Sequence, residues 1–137
     1  MCIVNAQYST AGFFQFIIMG TAFQLFLGIF GCLEGKCIVS YIRKKVMDFY
    51  GVKPKDLDGI VSQLRNTRGV EVAIFMYELD QNVFKVSLRS GNEVDVSKIA
   101  GYFGGGGHEK ASGVTMTGTP QDILNNLAER IDEQLKG

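Results

Sequence analysis

Four consecutive glycines, Gly104, Gly105, Gly106 and Gly107, followed by His108, constrain this chain more than any other feature. Glycine offers no side chain to pack and loses the most backbone freedom on folding. A folded domain keeps four in a row only where backbone bends sharply or lies close against something. A flexible linker is the plain alternative. The flanks argue against it, because Val96, Ile99, Ala100 and Phe103 before the run and Val114 and Met116 after it are apolar enough for a core. The run reads as a structured, ligand-facing loop. Successive glycine N–H groups can converge into an anion-binding nest, and His108 at the rim adds a donor whose charge responds near neutral pH.

Any anion recognition has to be local. Lysine plus arginine balance aspartate plus glutamate at 14 each, so no global positive field draws in nucleic acid or an acidic membrane surface. His108 is the only histidine, and Cys2, Cys32 and Cys37 lack metal-ligand spacing, so no zinc site is expected. The thiols read as reduced, in a cytoplasmic protein. At 137 residues the chain suits one domain of about 100 residues plus an appendage.

The appendage is residues 1–34. Residues 13–33 contain no charge and, as a helix, are long enough to cross a bilayer. Lys36, Arg43, Lys44 and Lys45 would hold the far side in the cytoplasm, giving a membrane-associated protein. Gln15 and Gln24 would then lie in hydrocarbon, and Gly20, Gly28 and Gly31 weaken the helix. No Lys or Arg precedes Lys36, which argues against a signal peptide. An apolar linker or interface helix covered on both sides is the preferred reading.

Residues 35–137 read as an α/β domain, a mixed β-sheet flanked by helices. Ile38, Val39 and Tyr41 predict a strand over 37–42. A helix over 43–50 ends at Gly51, and a second is expected over 55–66 behind Pro54, with Leu57, Ile60, Val61 and Leu64 on one face. Residues 70–79 form a nearly continuous apolar strand. It turns at Asp80, Gln81 and Asn82 into an alternating strand over 83–88. Asp95 is a plausible N-cap for a helix over 96–103. A strand over 113–117 precedes a last helix capped by Thr119, opened by Pro120, and buried through Ile123, Leu124, Leu127, Ile131 and Leu135.

The hairpin strand delivers Arg89 and Ser90 at its end. Arginine offers phosphate a planar fork of donors, and serine and the amides of Gly104, Gly105, Gly106 and Gly107 could complete the shell with His108. A solvated hairpin end and a capped helix terminus are the bland alternatives. The glycine run follows a helix C-terminus, whose dipole repels anions, so glycine amides and Arg89 would have to do the binding.

The stretch LRSGNEVDVSKIAGYFGGGGHEKASG, residues 88–113, closely resembles the C-terminal, DHH-associated domain of the DHH-family phosphoesterases. The likeness is greatest to the bifunctional oligoribonuclease and adenosine-bisphosphate phosphatase branch, the nano-RNases. Ser112 stands where alanine is commoner. The resemblance implies a two-domain enzyme in which manganese is held by an N-terminal Asp-His-His domain and the C-terminal domain grips the nucleotide. It implies that Arg89 and Ser90 contact phosphate or base, that Gly104 to Gly107 bring backbone to the nucleotide, and that His108 reaches the phosphate near the metals.

No Asp-His-His motif occurs in this sequence, and one histidine cannot supply a two-metal centre. No catalytic residue and no cofactor is assigned to this chain, and manganese is expected only in a separate DHH catalytic domain. The expected function is a nucleotide-binding module, taking a nucleotide or short single-stranded RNA or DNA, present as a fragment or split gene product. The linker-helix reading places residues 1–34 where the family joins its two domains, and an uncovered apolar helix there would promote homo-oligomers. A membrane-tethered interaction domain with a merely structural glycine loop is the alternative. A residual metal-free enzyme using His108 ranks last, since no nucleophile or activated water accompanies it.

Overall fold

In a computed structural model, residues 28–137 of the protein are described. They form a six-stranded mixed sheet with helices on both faces. The elements are β1 (Gly28–Cys32), β2 (Cys37–Ile42), α1 (Lys44–Tyr50), α2 (Ile60–Arg65), β3 (Val72–Asp80), β4 (Val83–Ser90), α3 (Val96–Tyr102), β5 (Gly106–His108), β6 (Ala111–Thr117) and α4 (Pro120–Lys136). The strand order is β1-β2-β3-β4-β6-β5. β2 and β3 run parallel, joined through α1 and α2, and every other pair is antiparallel.

Side chains alternate between the two faces, and each face has its own core. On one, Val72, Ile74 and Met76 of β3 and Phe84, Val86 and Leu88 of β4 meet Val96, Ile99 and Ala100 of α3. Ile123, Leu124, Leu127, Ala128 and Ile131 of α4 close that layer. On the other, Ile38, Ile42, Ala73 and Phe75 meet Met47 of α1, Leu57, and Ile60, Val61 and Leu64 of α2. Covered on both sides, the start of β3 is continuously apolar, as expected for a central strand. Each of these fully buried large side chains contributes about 1.5–3 kcal/mol by leaving water.

Polar groups secure the element ends. Thr119 Oγ1 accepts the Asp122 N–H at 3.1 Å with Pro120 in the first turn, as anticipated for α4. Asp95 caps α3 through the Ser97 and Lys98 amides, and the Ser97 hydroxyl, foremost among these partners, holds its carboxyl below the ordinary range. Gln134 of α4 clamps the Asp95 backbone, accepting from its N–H at 2.8 Å and donating to its carbonyl at 3.0 Å. The N-terminus of α1 is capped from outside the helix. Buried Glu78 accepts from the Lys44 N–H (2.9 Å), the Asn82 N–H (2.9 Å) and Arg43 Nη1 (3.1 Å). Burial pushes its carboxyl up, but the two amides and the guanidinium outweigh burial and hold it below the ordinary 4.5.

Two sequence expectations change. The single helix over 55–66 is a short 3-10 turn, Pro54–Leu57, followed by α2, because Gly59 takes φ +89° between them and interrupts the helix. The apolar stretch 13–33, expected to be helical, lies outside the described residues up to 27, and so does the membrane-span reading. Its end is instead a strand, with Gly28–Cys32 pairing antiparallel with β2. Among the described residues no helix is long and apolar enough to cross a membrane.

Candidate functional site

Arg89 and Ser90 end β4, and their side chains leave on opposite faces. Ser90 points inward and is buried. Its hydroxyl donates to the carbonyl of Val94 at 2.7 Å, with the Glu109 carbonyl at 3.2 Å, while its N–H donates to the Lys110 carbonyl at 3.0 Å. It ties the loop after β4 to the β5–β6 turn rather than facing the open side. Ser112 does the same one strand over, donating to the Val96 carbonyl at 2.8 Å.

The loop after Ser90 is held by a residue that sequence reasoning missed. Glu71, 8% exposed, sends one carboxylate oxygen to three amides, Gly91 (3.1 Å), Glu93 (2.8 Å) and Val94 (2.9 Å). Gly91 leaves the space, since a Cβ there would stand 2.6 Å from Glu71 Oε1. The signal was an acidic residue at the head of an apolar strand, a weak one until the loop is in place.

Arg89 takes the other face. Ala73, Arg89, Ala111 and His108 are register partners across β3, β4, β6 and β5, so their side chains share one side of the sheet. There α1 and α2 cover β2 and β3 and α2 also approaches β4, but the second core takes no residue from β4, β6 or β5. Arg89 is half-buried and donates one bond, from Nη1 to the Leu88 carbonyl at 3.1 Å, while His108 is exposed. Between them lies only Ala111. The next row is Ser87, Gly113 and Gly106, all without a bulky side chain. Among the described residues the result is an open shelf with a low floor, Arg89 on one side and His108 on the other.

The glycine run does not make the expected nest. Gly104, at φ +93°, terminates α3 by donating to the Gly101 carbonyl at 3.1 Å, and Gly105 donates to Ala100 at 2.7 Å. These two amides are spent on the helix end. The remainder of the run is not a loop but edge strand β5, paired with β6. Three of the four glycines have a reason of their own. A Cβ on Gly105 would stand 2.3 Å from the Gly113 carbonyl, and one on Gly107 2.6 Å from the Ala111 carbonyl and the Ser112 Cα. Gly106 alone has ordinary φ and nothing within 4 Å, so nothing in the described chain demands glycine there. An edge strand also turns the N–H and C=O of alternate residues outward.

Two cavities lie elsewhere. One of about 800 Å³ is lined by Leu33, Lys36 and the outer side of α4, and one of about 350 Å³ by Tyr41, Arg43 and the start of α4. Neither touches Arg89, Ser90, the glycines or His108. Among the described residues no three His, Cys, Asp or Glu side chains converge as metal ligands.

Residues 34–137 match the family model described as DHHA1 domain. The chain is similar to the bifunctional oligoribonuclease and PAP phosphatase NrnA of Thermus thermophilus, 35% identical over 59% of this chain and 25% of the relative. It is also similar to oligoribonuclease NrnB of Bacillus subtilis, 49% identical over 35% of this chain and 12% of that protein. It thus spans a quarter or less of these curated relatives. An exopolyphosphatase-related protein from Bacteroides fragilis shares the fold, with a TM-score of 0.65 at 24% identity, over 72% of this chain and 29% of that one.

Proposed function

This chain belongs to the DHHA1 domain family, and we propose that it is a nucleotide-binding module, the substrate-recognition part of a manganese-dependent DHH phosphoesterase acting on short oligoribonucleotides or nucleotide phosphates. The observation that supports this most is the row Arg89–Ala111–His108, whose β6 and β5 members no helix covers on this side among the described residues. Arg89 has fork donors left over for a phosphate, and His108 approaches from across the small Ala111. Outward-facing N–H groups of β5 add neutral donors. The floor of Ala111, Gly113 and Gly106 lets a sugar or base lie flat against backbone. Ser90 and Ser112 act as positioning residues, fixing the strands that carry the row. The names of the relatives NrnA and NrnB support RNA or nucleotide chemistry for the ligand.

Hydrolysis is assigned to a separate DHH catalytic domain. The donors present here do not fit a two-manganese centre, since the chain has one histidine and the described carboxylates do not converge. No step is routed through a metal on this chain.

Titration with adenosine 5′-monophosphate tests the reading. Arg89→Ala should weaken binding about 10- to 100-fold, the worth of a charge-assisted phosphate contact of about 1.5–3 kcal/mol. His108→Ala should weaken it less, and Gly106→Val should block the shelf while leaving the unfolding midpoint unchanged. Unaltered affinity in both Arg89→Ala and His108→Ala would reject the site.

A further inference from the structure

The same face carries a second cation beyond the row of Arg89 and His108. Along β4 the residues on this side are Arg89, Ser87 and Lys85, whose partners on β6 are Ala111, Gly113 and Thr115. Lys85 is exposed, and its stem leans back over the middle row, with Cε 3.8 Å from where a Cβ on Gly113 would stand. Its ammonium is therefore drawn toward the Ser87–Gly113 pair, one step along the strand from Arg89. The registered residues of this side, from Lys85 to His108, include no carboxylate. Among the described residues neither Lys85 nor Arg89 has an ion-pair partner. In a chain of zero net charge this is a local concentration of uncompensated positive charge.

The spacing matches a nucleic-acid backbone. Two residues of extended polypeptide span as many covalent bonds as one nucleotide step, about 7 Å. We propose that a short oligonucleotide lies along β4 with one phosphate in the Arg89–His108 row and the next over the Ser87–Gly113 pair. There the Lys85 ammonium and the Ser87 hydroxyl receive it. Gly113 keeps the floor low, since any side chain on it would press against the Val86 carbonyl, 3.3 Å from its Cβ position, and against the Lys85 stem. Lys85 thus selects a ligand with two phosphates one nucleotide apart over a mononucleotide. The proposal rests on the nucleotide-binding reading above and adds the length preference.

The test compares adenosine 5′-monophosphate with the 5′-phosphorylated dinucleotide pApA by calorimetric titration of the full chain at fixed low salt. The dinucleotide should bind roughly tenfold more tightly, one additional charge-assisted contact. Lys85→Ala should abolish that gain without changing affinity for the mononucleotide, and Lys85→Arg should retain it. The gain should also shrink with added salt. Equal affinities of the wild-type chain for the two ligands, or equal loss of both in Lys85→Ala, would overturn the role of Lys85. If Arg89-dependent mononucleotide binding persisted, the simpler reading would stand. Binding of neither ligand would remove both.

Discussion

Replacing Glu71 tests whether the loop behind Arg89 is held by one carboxylate oxygen. In Glu71→Ala the amides of Glu93 and Val94 lose their acceptor, while the Gly91 N–H keeps the Glu71 main-chain carbonyl at 2.9 Å. An orphaned buried donor costs about 1–3 kcal/mol. The Val94 bond is buried and warrants the top of that range, whereas the Glu93 bond is half-buried and its amide regains some water. The sum is about 3–4 kcal/mol, a large part of a typical stability of about 5–15 kcal/mol. Glu71→Gln is the informative partner. All three amides address Oε2, so the glutamine oxygen can take that place, and what is lost is the charge assistance, about 1–2 kcal/mol. Urea unfolding followed by far-UV circular dichroism measures both, with the Ala midpoint falling by about 2 M for an m-value near 1.5 kcal/mol/M. An Ala variant that loses less than about 1 kcal/mol, or one indistinguishable from Gln, would refute the staple.

The glycines separate by the same reasoning. Gly105→Ala and Gly107→Ala force a Cβ into the backbone of β6 and should destabilise by roughly 2 kcal/mol or more, while Gly106→Ala should leave stability within about 0.5 kcal/mol. Equal losses at all three positions in thermal unfolding would contradict the separate roles given to them. The acid limb of stability should report Glu78. Its folded pKa lies below the unfolded 4.5, so its contribution is fully present above that pH and is lost as pH falls from there through the folded value. Glu78→Gln should be less stable near neutrality and lose less on acidification; identical acid sensitivity in urea titrations at pH 6 and below would count against this assignment.

Legibility followed how local the causes were. The β3–β4 hairpin and α4 were readable, because alternation, turn residues, a Thr cap and Pro120 all act within a few residues. So was the Asp95 cap of α3. β5 was not, since glycine carries no strand preference and the cause of the strand is the backbone of β6 pressing against it. The inward turn of Ser90 follows from strand alternation once Leu88 is known to be buried, but the partners that hold its hydroxyl, Val94 and Glu109, come from loops. Glu71 acts on amides 20 or more residues away and Glu78 on the Lys44 amide 34 residues away, and no sequence pattern marks such a pairing. Arg89 and His108 were picked out as a pair by motif, yet only the register of three strands places them in one row.

That register has a consequence for chain length. His108 reaches Ala111 through the two-residue turn Glu109 and Lys110, and Ala111 in turn stands opposite Arg89. Strand faces alternate with every residue, so position along this hairpin is a matter of phase. Losing one residue between His108 and Ala111 leaves too few for the turn, so the pairing has to slip. A slip by one sends cation or imidazole to the far side of the sheet, making a deletion in this turn less tolerable than most exchanges of side chain.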